Sequence, residues 1–289
     1  MIYLLLSVFS SSLIFVLFKL FPRFQIDTFQ AIVFNYFTAF FLGIILYGNA
    51  WKSDFLFTGN WPFFACCCAL LFISLFILMG ISSQKNGVSS TSIAVKMSMA
   101  ISLIIIIIAY KESLSFFKIA GILCAFIGVF LVTHEKQTER KETSFLWMLI
   151  VLFLGSGLLD FLLNYVQKYE LTQLPSSLFS AIGFGLAGLI GLVIFSLLLI
   201  KKQTVFSYRN IAAGIVLGIP NYFSIYLLIV SYQSTGWNDS TVLAINNVLV
   251  VLLAAFVGFS IFHEKVNKQK IVGLITALAA IILLFIANK

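Results

Sequence analysis

Lys96 and Asp160 are the two ionisable side chains of this 289-residue chain that fall well inside long apolar segments. A charge held in hydrocarbon costs from about 2.5 kcal/mol upward, so each needs a physical reason to be there. Lys96 stands eight residues into the segment 88–110, roughly 12 Å from its start by helical rise. Two kinds of role fit it. It can snorkel to the nearer interface or pair with Asp160, or it can bind an anionic or zwitterionic solute. Asp160, sixteen residues into the segment 144–166, is the one acidic residue deep in a segment and so the candidate carrier of a coupling proton. By residue count the two lie roughly 10 Å apart along the segment axes, a span that a Lys side chain bridges only in part.

Amides form a second tier: Asn35, Asn164, Asn246, Asn247, and Asn221 directly after Pro220. Hydrogen bonding between helices, worth about 0.6 kcal/mol on average, is the simpler account of Asn35 and Asn164. Asn246, Asn247, Asn221 and Asn35 are nevertheless the residues that could join Lys96 in holding a solute. No catalytic residue is expected. The two histidines, His134 and His263, lie in connections, no H-E-x-x-H occurs, and Gly155-Ser156-Gly157 has no intramembrane base to activate its hydroxyl. Asp160 has no second deep carboxylate with which to form a dyad. Cys66, Cys67 and Cys68 are consecutive and point about 100° apart on a helix, so they cannot converge on one metal. Neither a metal nor another cofactor is expected.

These side chains must be positioned by membrane helices. The chain is 61% apolar and only 10% charged, with a mean hydropathy of +1.10, whereas a soluble domain carries about 25% charged residues to cover its surface. Lipid must cover this one. Apolar segments fall at 2–20, 28–47, 62–81, 88–110, 116–133, 144–166, 176–200, 210–231, 238–261 and 268–287. Each can cross roughly 30 Å of hydrocarbon as a helix, which predicts an all-α, ten-span integral membrane protein. The first segment lacks the basic start and small-residue cleavage site of a signal peptide and is read as a retained helix. Trp51, Trp61, Tyr110, Trp147, Tyr169, Tyr208 and Trp237 lie near segment ends, as interfacial aromatics do. The net charge of +8 is scattered through short connections, which suits a membrane surface and argues against nucleic acid. No connection is long enough to fold into an ATPase and no G-x-x-x-x-G-K-[ST] loop is present, so any transport would draw on a gradient.

The chain also repeats itself. At a shift of 152 residues Glu112 falls on Glu264, Lys118 on Lys270, Ile119 on Ile271, Gly121 on Gly273 and Ala125 on Ala277, with Gly128 answered by Ala280. Six of the twenty positions from Glu112 to Leu131 are identical, and small residues at 0, +4 and +7 give both segments a face for close helix packing. Asn246 and Asn247 fall beside the position that repeats Lys96. The repeats are 1–137 and 138–289, and an odd number of spans in each requires the second to be inserted upside down. Inverted repeats characterise secondary transporters, whose site lies near the midplane between the halves.

On these residues the chain resembles the EamA-type transporters of the drug/metabolite transporter superfamily. The resemblance rests on Glu112 followed nine residues later by Gly121, on Glu264 followed likewise by Gly273, and on Phe15-x-x-x-Lys19 at the end of the first span. It departs where the family often has Pro before each Glu, here Met99 and Val251, and often has Arg in the second span, here Asn35. The resemblance implies efflux or exchange of small metabolites through a cavity between the halves, in the cell's inner membrane. Members handle amino acids, nucleobases, sugars, sugar phosphates and drugs. Glu112, Gly121, Glu264 and Gly273 are read as structural contacts at helix ends and as parts of a gate. Charge counting opposes the family on orientation: twelve Lys and Arg lie on the face of the odd-to-even connections and five on the other, which places both termini outside the cytoplasm, while the resemblance places them inside. A non-transporting membrane scaffold and, more remotely, an intramembrane enzyme are the alternative functions.

Overall fold

A computed structural model of the chain describes residues 1–47, 60–110, 115–133, 145–166, 169, 176–234, 239–264 and 268–287. The described elements are helical, with no strand among them. This follows from the solvent, because a chain crossing hydrocarbon has to satisfy its backbone N–H and C=O groups within each segment. In chain order the helices are α1 (Ile2–Leu20), α2 (Thr28–Tyr47), α3 (Trp61–Lys85), α4 (Val88–Met97), α5 (Met99–Tyr110), α6 (Phe116–Thr133), α7 (Leu146–Tyr165), α8 (Ser176–Ile200), α9 (Tyr208–Ser234), α10 (Asp239–Ser260) and α11 (Lys268–Ala287), with a 3₁₀ turn at Phe21–Phe24. Seven of the described helices are long and apolar enough to cross a membrane, and shorter apolar stretches lie at Phe116–Gly128 and Ile245–Ser260. The chain is a multi-pass integral membrane protein. Large apolar side chains such as Ile45, Phe116, Val193 and Phe256 lie exposed around the bundle, where lipid covers them.

The stretch 88–110, expected as a single helix, carries a one-residue interruption: α4 and α5 meet at Ser98, whose own φ −54 and ψ −21 remain right-handed helical.

Small residues set how closely the helices approach. The face of Gly121 and Gly128 on α6 meets the face of Gly273 and Ala277 on α11. A methyl carbon added at Gly128 would lie 3.2 Å from Ala277 N and 3.3 Å from Gly273 O, and one at Gly121 would strike Leu284. Gly214 and Gly218 on α9 lie against the backbone of α2 at Ala31 and Asn35, and Gly185 and Gly188 on α8 receive Phe40 and Phe37 of α2. The close pairs are α6 with α11, α2 with α8 and α9, α3 with α7 and α8, α1 with α9 and α10, α4 with α10, and α7 with α4 and α5. If α1, α2, α3, α4–α5 and α6 are exchanged for α7, α8, α9, α10 and α11, this set maps onto itself.

Hydrogen bonds knit one end of the bundle. Lys19 Nζ donates to Gln84 O at 3.1 Å, and Gln84 Nε2 to Thr28 Oγ1 at 2.8 Å. Gln30 Nε2 donates to Thr204 Oγ1 at 2.8 Å, and Asn210 Nδ2 to Gln30 Oε1 at 2.9 Å. Asn86 Nδ2 donates to Phe145 O at 3.1 Å. The C-terminal ends of α1, α3 and α8 and the starts of α2, α4, α7 and α9 therefore meet on this face.

Candidate functional site

The turn at Ser98 needs neither Pro nor Gly. The Ser98 hydroxyl donates to Val95 O at 2.6 Å, taking up a carbonyl of the preceding turn in competition with the helical ladder. The N–H groups of Ile101 and Ser102 then both donate to Ser98 O, at 2.9 and 3.2 Å. Gly157 on α7 lets a neighbouring helix press on this point, because a methyl carbon there would come within 2.7 Å of Ser98 O. A kink in a long helix has an identifiable cause, and here a side-chain bond and a tight helix contact coincide.

Lys96 and Asp160 flank the turn. Lys96 is half-buried, two residues before Ser98, and each of the two charges acts electrostatically on the other. Ser98 Oγ also lies 3.3 Å from Asp160 Oδ2 as a donor. On α7 the lipid-facing stripe is Trp147, Val151, Leu154 and Leu158, and the buried stripe is Leu149, Leu152 and Phe153. At 100° per residue Asp160 falls on the buried stripe, about 20° from both Leu149 and Phe153, and yet it is exposed. That accessible carboxylate lies on the side of α7 that packs on α4 and α5.

The amides extend this site across the bundle. Asn247 Nδ2 donates to Met99 Sδ at 3.5 Å, directly beside the turn. Its neighbour Asn246 accepts from Ser7 Oγ at 3.3 Å, and Ser7 also donates to Ser224 O at 2.7 Å. Ser224 Oγ in turn donates to Asn221 O at 2.8 Å. A polar belt thus runs from α7 through the α4–α5 turn and α10 to α1 and α9. Asn35 continues it into the α2–α9 seam, level with Gly218 and one turn from Asn221. Both amide atoms of Asn35, and Nδ2 of Asn221, are buried without a hydrogen-bond partner. Such groups are costly in a dry core, and a ligand or water at the belt would complete them.

Other residues singled out in the sequence have different places. Gly121 and Gly273 lie in the α6–α11 contact, away from the belt. Glu264 reaches the start of α4, where Val88 N–H donates to Oε1 and Ser89 N–H to Oε2 at 3.3 Å. Glu112 lies outside the described residues, as does the side chain of Asn164. Ser7, Ser98, Met99 and Gly157 were not anticipated. A serine inside an apolar segment is an ordinary residue until its neighbours are known, although the four serines of α1 at 7, 10, 11 and 12 were a visible cue. A separate cavity of about 280 Å³ between α10 and α11 is lined by Ile245, Val248, Leu249, Ile281, Ile282 and Phe285. Its walls are wholly apolar, so it offers nothing to a charged solute.

An all-helical membrane bundle with a lysine, a carboxylate and amides gathered around Ser98 suits a membrane transporter, and the comparisons with known proteins agree. Residues 1–134 match the EamA-like transporter family. The chain belongs to that family. An uncharacterized protein of Haemophilus influenzae is 30% identical over 293 residues, covering 99% of this chain and 98% of that protein. A solved crystal structure of a protein superposes with a TM-score of 0.58 over 97% of this chain and 98% of that one at 8% identity, which shows a shared fold alone.

Proposed function

We propose that this chain is a secondary transporter that moves a small anionic or zwitterionic metabolite by alternating access, in efflux or exchange, across the cell's inner membrane. The observation that carries the proposal is the polar belt centred on Ser98, where a lysine, an inward and accessible carboxylate and paired amides gather around the interruption of the span; on this reading a solute-admitting cleft lies there. Secondary transporters bind solutes near the midplane between their halves, where polar and charged side chains are gathered. Lys96 holds the anionic group of the solute. Asp160 carries the coupling proton. Asn246, Asn247 and Asn221 supply neutral hydrogen bonds, with Asn35 at the margin.

Ten spans in two inverted halves, 1–137 and 138–289, suit this reading, with α4 and α5 together forming the fourth. The self-mapping set of helix contacts supports the inverted relation, as does the meeting of the repeated small faces of α6 and α11. Alternating access requires such a relation, because the same contacts must be makeable on either side of a central site.

Counterflow in proteoliposomes against a panel of amino acids, nucleobases, sugars and sugar phosphates, with and without a pH gradient, tests the proposal. The expected result is saturable counterflow of at least one carboxylate- or phosphate-bearing solute. Folded protein that moves no member of the panel, and none in a second panel of organic cations and drugs, would favour the scaffold.

A further inference from the structure

The start of α4 is held by a residue from the other end of the chain. Both carboxylate oxygens of Glu264 take backbone N–H groups there, from Val88 and from Ser89, which are among the four donors that a helix start leaves unsatisfied. Lys270 Nζ lies 3.6 Å from Oε2, and the side chains of Glu264 and Lys270 are each only 6% exposed. Two glycines make room for the carboxylate. Methyl carbons at Gly87 and Gly258 would come within 2.7 Å of Glu264 Cδ and 2.8 Å of Oε2 respectively. Gly87 also has φ +94, a conformation that suits glycine and strains any larger residue.

The other end of α4 is the Ser98 turn, with Lys96 on its last turn. The ten residues of α4 therefore form a rod about 15 Å long that runs from the Glu264 contact to the cleft. The single residue Ser98 separates it from α5. Ser89, itself part of the contact on α4, Ser12 on α1 and Ser83 on α3 carry buried hydroxyls without hydrogen-bond partners, and these three helices pack on one another. A permanently dry core would disfavour three such groups; a passage that is wetted when open accounts for them.

We propose that Glu264 is a latch: docked on the α4 start it seals this face of the bundle, and when released it lets α4 tilt about Ser98 and open a serine-lined passage to the cleft. The proposal rests on the transporter reading for its purpose, but its test needs no substrate. Full-length protein in nanodiscs, with Cys66, Cys67 and Cys124 replaced by Ala, carries one reporter at a time: Ser83→Cys in a Cys68→Ala background, or the native buried Cys68 nearer the far end of α3. The rate of labelling by a membrane-impermeant maleimide is compared among the unmodified latch, Glu264→Gln and Gly87→Ala, with Lys270→Met as a milder disruption should either of the others fail to fold.

Losing one charge-assisted pair of hydrogen bonds should raise labelling at Ser83→Cys by about tenfold, with Lys270→Met raising it less and Cys68 unchanged throughout. A rate at Ser83→Cys that stays within about twofold in the folded variants overturns the latch. So does a rise at Cys68 as large as that at Ser83→Cys, because that would be general loosening. If counterflow fails while labelling responds as expected, the transporter reading falls and the latch stands; the reverse outcome removes only the latch.

Discussion

The fourth span and α10 fall on one another when the sequence is shifted by 152 residues, and they behave differently. The fourth span turns at Ser98 and carries a lysine beside the turn; α10 runs unbroken from Asp239 to Ser260 and offers two amides, Asn246 and Asn247. Neither has the proline that the family often places there, Met99 and Val251 standing instead. The break therefore depends on local partners. In the fourth span a hydroxyl takes the Val95 carbonyl and α7 presses close at Gly157, whereas Val251 in α10 is a buried apolar residue. The fourth span thus carries a lysine beside its interruption, and α10 packs on α4 with two neutral amides.

The contrast can be broken most severely by Val251→Pro. It would remove a ladder hydrogen bond and wedge a ring into a buried, continuous helix, at a cost of about 3 kcal/mol or more, read as a lower melting temperature in detergent. Met99→Pro should cost less, because the span is already interrupted at Ser98, with the remaining cost coming from the helical φ and ψ of Ser98 that a following proline disfavours. Equal losses in the two variants would mean that the fourth span is as continuous as α10.

A smaller effect is expected at the helix that presses on the turn. Gly157→Leu should destabilise by about 1–3 kcal/mol through overpacking, and it should reduce counterflow more than its melting temperature alone would explain, because it displaces Asp160 from the cleft. A loss of stability with normal counterflow would separate Gly157 from the site. The smallest effect belongs to Ser98→Ala. It removes one hydroxyl proton, given mainly to Val95 O and at longer range to Asp160, and rebuilding the helix ladder largely replaces the Val95 bond, so stability should change by about 1 kcal/mol or less, while the turn straightens. Spin-label distances across α4 and α5 would register the straightening; an unchanged distance would assign the turn to α7 packing alone.

Much of this molecule could be read from the sequence because lipid imposes so simple a rule. The limits of α1, α2, α6, α8 and α11 fall where the apolar runs begin and end, and the small faces repeated at Gly121 and Gly273 do pack on one another. Lys96 and Asp160 stood out because an apolar background makes any charge conspicuous. The turn at Ser98 was hidden, since its cause is one hydroxyl and a glycine on another helix 59 residues on. The seat of Glu264 was hidden for the same reason: its partners Val88 and Ser89 are backbone groups 176 and 175 residues away, and side-chain identity at those positions says nothing about them.

The central claim is that Lys96 binds solute, and counterflow by Lys96→Met, Asp160→Asn and the double variant tests it most directly. Replacing a buried ion by an apolar side chain is often neutral or stabilising when no partner charge is left alone. The account predicts that Lys96→Met inserts and melts close to the unmodified protein, that it loses most counterflow, and that the loss appears as weaker solute binding. A Lys96→Met protein that transports at the unmodified rate, or one that fails to fold and is restored by adding Asp160→Asn, would contradict it.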